Sequence, residues 1–467
     1  MSNRYTKDNI GNTLPAIEIP KIFRSADEYL ASLVEEGATI RYGNQHPIEL
    51  TKRIKEELQV IRSIGGANYF LFYHNMVKVA KEELGIWVGP GRNNSAGSVI
   101  NYCLGITSID PIKHGLLWER FMGEMVPDID LDLDEIGRDK LLDWLKAEYG
   151  DEHVAHLSTS DGYAHLCGIV VTCNPLRDYT PLVYRDSQYS DGEQVLCTEV
   201  DGLAARKSGL VQIDLLSYNV LSVLKDTVAL IKERQGIALN LDEIAIDDAK
   251  TFELLQSGQV RGTFFGVFKK YHSVGLHPAN FEEMVALFAL SNLWLDGFYV
   301  EPCEYIEAKR QALKMVYESV LEEQILSETY GLMIYQEQFM RLVQDFAALS
   351  KTESYELWRA LRKEDIEAMN KSFDLFFEKA RQNGRSKDEA LRIFNKYLLT
   401  EQGLESGYSN KAHAVCYTWM AYQLLYLKVH FPQEYFSTAI KYCKDKEEVD
   451  ELKTEYQQIK NLIQHHE

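Results

Sequence analysis

The segment VPDIDLDLDE, residues 126–135, places aspartates at 128, 130, 132 and 134, with Ile129, Leu131 and Leu133 between them. Successive side chains of a strand point to opposite faces. This period of two therefore predicts a strand with all the carboxylates on one face and the aliphatics on the other. Like charges side by side on a sheet repel, so a fold that keeps them needs a compensating positive group, and a divalent cation is one candidate. The plainer expectation is an edge strand whose charged face meets water.

Two other stretches bear on that choice. The run IWVG meets GPGRNNSAGSVINYCLG, a glycine-proline loop that opens a helix at residues 89–98. Backbone N–H groups at a helix start bind phosphate; an ordinary glycine turn is the bland alternative. GLVQIDLL, residues 209–216, sets Asp214 inside an apolar strand, where a carboxylate is costly unless partnered; a capped core aspartate is the bland alternative. Two carboxylates on one strand, a third on a neighbouring strand and a phosphate-type loop make up the set for phosphoryl transfer with a pair of Mg²⁺ or Mn²⁺ ions. Such ions need shared oxygen ligands, and they would clamp the attacking hydroxyl and the leaving pyrophosphate.

The surrounding pattern is α+β. Residues 1–25 read as an irregular arm. Residues 26–84 are helical, with Leu50, Ile54, Leu58 and Ile61 at helical spacing. GRDKLLDWLKAEYG reads as a further helix, and HVAHLST, LCGIVVT, YTPLVYR, EQVLCTEV and LVQIDLL read as strands. From about residue 217 onward helical periodicity dominates, notably in FEEMVALFALSNLW, RQALKMVYESVLEEQIL, YELWRALRKEDIEAMNKSFDLFFEKA and TWMAYQLLYLKVHF. The last 22 residues read as a charged amphipathic helix.

Charge limits the function. There are 50 Lys+Arg against 70 Asp+Glu, a net of −20. Non-specific grip on nucleic acid comes mainly from phosphate neutralisation, so strong autonomous DNA binding is not expected. The seven cysteines include no Cys-x-x-Cys pair, which predicts buried thiols, a reducing compartment and no zinc site. No apolar run reaches about 18 residues and the N-terminus is polar, so no membrane span or secretory signal is expected. The expected location is cytoplasmic.

GPGRNNSAGSVINYCLGITSIDPIKHGLLWERFMGEMVPDIDLDLD closely resembles the palm of bacterial family C DNA polymerases, the DNA polymerase III alpha subunits. HLCGIVV, GLVQIDLL, FEEMVALFAL, YGLMIYQEQFM and SNKAHAVCYTWMAYQLLYLKVHFPQEYFSTAI match the family in order, so the resemblance runs from about residue 26 to 445. It implies a polymerase-beta-like nucleotidyltransferase palm sheet with flanking helices over 26–220 (helical lead-in 26–84, catalytic sheet 85–220). It further implies mostly helical fingers over 221–445 and a charged helix over 446–467. It implies catalytic, metal-holding roles for Asp128, Asp130 and Asp214. Asp132 matches a further motif aspartate, and Asp134, beyond the motif, is expected at the surface.

The same resemblance implies triphosphate contacts from Arg92, Asn93, Asn94, Ser95, Arg120, Gln212, Arg359, Lys411 and His413. Several positions depart from the family pattern. Its Gly-Ser pair in the loop is Asn93-Asn94, its lysine two positions before the third aspartate is Gln212, and the first arginine of its fingers pair is Trp358. VFKKYH (267–272) and SNLWLDG (291–297) replace a VFQLES segment and an RPGP turn. A thumb is expected to be missing, because SDGYA alone joins HVAHLST to HLCGIVV. The N-terminal phosphoesterase-like domain and the C-terminal clamp- and oligonucleotide-binding regions have no counterpart in the chain.

The expected function is addition of deoxynucleotides to a DNA 3′ end or primer-template, with low processivity or help from an accessory protein. The alternatives are a template-independent nucleotidyltransferase and a catalytically weak scaffold that binds nucleic acid.

Overall fold

The computed structural model describes residues 12–122, 127–187, 190–263, 277–296, 302–363, 365–400, 403–404 and 408–466. VFKKYH and Gly297 lie outside them, as do Val126 and residues 1–11 of the arm. The chain forms two compact units, Met1–Lys225 and Asp226–Glu467, in a mixed α+β architecture.

The first unit begins with three helices, α1 (Ala26–Tyr42), α2 (Ile48–Ser63) and α3 (Ala67–Glu82). Ser25 starts α1 by accepting the Glu28 N–H, which satisfies one of the amides a helix start leaves unpaired. The loop of residues 89–98 leads into a short helix, α4 (Val99–Cys103). Strand β1 (Asp130–Leu133) and helix α5 (Gly137–Tyr149) follow. The sheet is completed by β2 (Val154–Ser158), β3 (Ala164–Val171), β4 (Leu182–Ser187), β5 (Ser190–Asp201) and β6 (Gln212–Ser217), with α6 (Gly202–Lys207) between the last two.

The sheet order is β1-β6-β3-β2-β5-β4. Strands β1 and β6 are parallel, and β6 is antiparallel to β3. Strands β2 and β3 are an antiparallel pair joined by residues 159–163, where Thr159 N donates to Tyr163 O at 2.8 Å. A hairpin this tight has no room for an inserted domain. Residues 12–25 of the arm are irregular and anchored near their start: Leu14 is 2% exposed, and Cys173 N donates to Thr13 O.

Ile129, Leu131 and Leu133 of the acidic segment join Ile213 and Leu215 of β6 in a core with Tyr69, Phe70, Phe72 and Tyr73 of α3. The aliphatic half of the alternation thus behaves as the period of two predicts. The charged half does not. β1 is an edge strand, yet Asp130, Asp132 and Asp134 are 8%, 2% and 1% exposed. The charged face is covered because residues 87–89 run beside β1: Gly89 N donates to Asp132 O and Asp134 N to Trp87 O. The regular strand is also shorter than the alternation, with Asp128 in the extended lead-in.

In the second unit the helix Lys411–His430 is buried along most of its length. Phe281, at the start of the helix Phe281–Asp296, stacks its ring edge-on to Trp419 and Tyr422. Two long periodic segments turn out broken. RQALKMVYESVLEEQIL divides into Pro302–Gln311, a short turn, and Val320–Leu326, because Ser319 caps a new start by accepting Glu322 N–H. YELWRALRKEDIEAMNKSFDLFFEKA divides into Lys351–Lys363 and Ile366–Gln382, because Asp365 caps the second by accepting Ala368 N–H. The charged terminal helix runs Lys446–His466. Cys103, Cys197 and Cys416 are buried, but Cys173 and Cys303 are exposed, against the expectation of buried thiols throughout. Among the described residues, no helix is long and apolar enough to cross a membrane.

Candidate active site

The parallel pairing of β1 with β6 sets Asp130 directly beside Asp214. Paired residues of neighbouring strands share a face, so both carboxylates leave the sheet on the same side. Asp128 follows two residues upstream, its segment anchored by the buried Tyr69, whose hydroxyl donates to Pro127 O at 2.6 Å. One carboxylate oxygen from each of Asp128, Asp130 and Asp214 lies within 4.8 Å of the others. Gly168 on β3 makes room for the third: a Cβ there would meet Asp214 Oδ1 at 3.2 Å and the His165 ring at 2.3 Å.

These acids are crowded. Burial raises the Asp130 carboxyl to about 7, helped by the charges of Asp128 and Asp214 and opposed by Asn93 and Arg92. Asp128 is also raised, by desolvation first although half its side chain meets solvent, with Arg206 opposing and Asp214 adding. A group held this far from its ordinary range by burial and like charge is a functional-site candidate.

Each acid meets a donor from the chain. Asn93 Nδ2 is 2.5 Å from Asp130 Oδ2. Gln212 Nε2 is 2.9 and 2.8 Å from the two oxygens of Asp214. Arg206 of α6 lies 3.3 Å from Asp128. Asp132 is outside the cluster; Arg92 Nη1 holds it at 3.0 Å while Arg92 Nε is 3.9 Å from Asp130. Asp134, expected at the surface, is instead buried. Trp87 N–H donates to it at 2.7 Å and Lys225 Nζ lies at 3.0 Å. Its place on the covered face of β1 requires both partners.

The loop of residues 89–98 differs from the phosphate-binding expectation in a specific way. The N–H groups of Val99 and Ile100 at the start of α4 donate to the Glu57 carboxylate of α2 at 3.1 and 3.3 Å, and Ser98 Oγ donates to it at 2.6 Å. Glu57 is fully buried and paired with Arg53 at 3.1 Å, and Arg53 also donates to Gly97 O and Leu116 O. An internal carboxylate thus takes the place that an external phosphate would have at this helix end. Ser95 is buried, and its hydroxyl donates to Arg92 O at 2.6 Å, closing the turn. The exposed part of the loop is Asn93, whose φ of 51° is left-handed; asparagine tolerates that region better than most residues. Asn94 is half-buried and its carbonyl accepts Gly97 N–H at 2.9 Å. Arg120 is 9% exposed.

In the second unit Arg359 is half-buried on Lys351–Lys363, beside Trp358, which stacks on Tyr355. Lys411 opens the helix Lys411–His430 with its ammonium 2.6 Å from Glu328, and the His413 ring packs on Tyr417. Sequence reasoning missed Arg206, Lys225, Glu57 and Arg53. None sits in a motif; each reaches its partner across the fold. A spacing signal existed only for Arg53–Glu57, an i,i+4 ion pair of the kind helices favour.

Taken together, the carboxylates of Asp128, Asp130 and Asp214 on adjoining strands beside a tight glycine loop form a candidate site for divalent cations. Comparison with known proteins narrows it. Residues 28–165 match the family model of the bacterial DNA polymerase III alpha NTPase domain. Residues 220–384 match that of the bacterial DNA polymerase III alpha subunit finger domain. The chain is 30% identical to the DNA polymerase III subunit alpha of Staphylococcus aureus (strain COL), covering 83% of this chain and 42% of that protein. It is also 30% identical to that of Halalkalibacterium halodurans, covering 91% of this chain and 44% of that protein. The chain belongs to the family C, DNA polymerase III alpha family, and spans less than half the length of these relatives. Asp128 and Asp130 fall inside the first matched region. Asp214 falls between the two, and the register of β6 brings it in.

Proposed function

We propose that this chain is a metal-dependent nucleotidyltransferase that adds deoxynucleotides to a DNA 3′ end. The observation that carries the reading is the convergence of Asp128, Asp130 and Asp214 within 4.8 Å. The donor set is all carboxylate oxygen, which suits Mg²⁺ or Mn²⁺ and disfavours softer ions. The raised Asp130 carboxyl fits it too, because burial and the charges of Asp128 and Asp214 outweigh Asn93 and Arg92, a deficit that a cation would relieve. Divalent cations bound there would supply Lewis-acid stabilisation for joining a 3′-hydroxyl oxygen to the α-phosphorus as pyrophosphate leaves.

The chain's own residues collect and orient. Asp128, Asp130 and Asp214 gather the cations. Arg92, paired with Asp132, fixes the loop over β1. By the family pattern, Asn94, Arg92 and Arg120 of the first unit would receive the triphosphate. The tight β2–β3 hairpin and the net charge of −20 favour weak grip on duplex and help from an accessory protein.

A primer-extension gel with Mg²⁺ or Mn²⁺, run beside Asp130→Ala, tests the reading. Wild-type extension that vanishes in the variant supports it; equal extension in both defeats it. A primer without template in a parallel lane separates templated from untemplated addition. A second reading, a family member used as a nucleic-acid-binding scaffold, is favoured by the amides of Asn93 and Gln212 on two of the three acids. Calorimetry with a deoxynucleoside triphosphate and Mg²⁺ decides: no heat at millimolar nucleotide favours the scaffold.

A further inference from the structure

We propose that Asn93 and Gln212 are built-in competitors for the acidic cluster, their side-chain amides occupying carboxylate oxygens that a divalent cation must take. The inference rests on the metal-site reading above and deepens it: these two residues set how tightly the site loads.

Three observations carry it. First, the single nitrogen Nε2 of Gln212 lies 2.9 Å from Oδ1 and 2.8 Å from Oδ2 of Asp214. A carboxylate accepts only, and an amide nitrogen donates only, so both oxygens already carry a donor. Second, packing holds Gln212 in this pose. Its Oε1 faces Gly202 at the start of α6 so closely that a Cβ there would lie 2.5 Å away. With the amide oxygen seated against that glycine, the nitrogen is left facing Asp214.

Third, Asn93 reaches Asp130 Oδ2 at 2.5 Å from the loop, starting from a backbone φ of 51°. The two amides thus approach from separate elements, the loop and β6, and cap two acids that the register of β1 and β6 sets side by side. Both donors are neutral. They stabilise the carboxylates without cancelling charge, so the attraction for a cation persists while the amides compete for oxygen lone pairs it would use. Entry of the cation weakens or displaces these bonds, and apparent affinity falls by what is lost.

The opposite role makes the opposite prediction. Removing a supporting group that orients a ligand lowers metal affinity by roughly 10–100-fold, whereas removing a competitor raises it. The experiment is a Mn²⁺ titration of the full chain after chelator treatment, followed by electron paramagnetic resonance of free Mn²⁺. The samples are wild type, Asn93→Gly, Gln212→Met, the double variant and Asp130→Ala. Glycine keeps the left-handed backbone at 93, and methionine keeps the bulk at 212 without a donor. Circular dichroism melts establish that each variant is folded.

Each single substitution is expected to tighten Mn²⁺ binding about tenfold, the scale of a lost hydrogen bond to a charged acceptor, and the double variant to exceed both. Unchanged or weakened binding in both singles overturns the competition, even while Asp130→Ala binding below wild type upholds the metal site. If Asp130→Ala binds as wild type does, the metal-site reading itself fails. No binding by any folded protein at millimolar Mn²⁺ defeats both.

Discussion

Two buried acidic centres, one in each unit, are neutralised in different ways. In the second unit Glu322 is 1% exposed and lies 2.9 Å from Arg392 and 3.1 Å from Lys396. The Tyr397 hydroxyl donates to it at 2.7 Å. Burial disfavours its ionised form, but hydrogen bonds from Arg392, Tyr397, Lys396 and Ser319 outweigh that and hold its carboxyl at about 2. In the first unit Asp130 is 8% exposed and is driven to about 7 by burial and by its fellow acids. One centre is matched charge for charge within the fold, whereas the other is capped mainly by amides and keeps a surplus of negative charge. A buried acid stabilises a protein only when its partners repay desolvation.

The comparison predicts its own largest effect. Asp130→Ala should lower primer extension at least ~10³-fold, the scale of losing an electrostatic clamp on the reacting phosphate. Glu322→Gln should leave the rate per folded molecule near wild type. Similar losses in both variants would erase the distinction.

Stability should divide the other way. Glu322→Gln leaves Arg392 and Lys396 with only the half-exposed Glu318, so urea unfolding should show a loss of about 2–3 kcal/mol, below the usual cost of breaking a buried pair because that partner remains. Asp130→Asn should be neutral or stabilising in chelated buffer, because it relieves like-charge crowding. A clear destabilisation by Asp130→Asn would show that the surplus charge is not there.

The pH windows follow from linkage. Glu322 has a depressed folded pKa, so its contribution is present above about 4.5 and is lost as pH falls towards about 2. Asp130 has a raised one, so its cost is full above about 7 and disappears as pH falls towards its unfolded value near 3.8. Metal-free wild type should therefore gain stability from this group between pH 7 and 4, and Asp130→Asn should flatten that limb of the urea profile. The smallest effect is ligand stabilisation: Mn²⁺ at ten times its Kd should add about 1.4 kcal/mol to wild type and nothing to Asp130→Ala.

The residues legible in the sequence are those whose signal is local. The alternation from Asp128 to Asp134 marks a strand, and its aliphatic half is in the core as a period of two requires. Asp214 stands out because a charge inside an apolar strand needs a reason. Two breaks in the helical region were also written locally, in Ser319-Val-Leu-Glu322 and in Asp365, where capping side chains begin new helices; smooth periodicity across them hid the signal. The reading of Asp134 as surface failed because its partners, Trp87 N–H and Lys225, arrive from residues 47 and 91 positions away. The partner at the loop's helix start is equally remote in sequence: Glu57, 42 positions before Val99, accepts its N–H.

By itself, then, the sequence determined which side chains are acidic, which alternate and which strands they ride on, because side-chain period and composition act over a few neighbouring residues. Only the tertiary structure decided which acids meet and what caps them. The parallel register sets Asp130 against Asp214, the glycine at 168 leaves space for the third acid, and amides from a loop and a strand close over two of the three. Electrostatic energy depends on distance through space, and distance along the chain does not carry it.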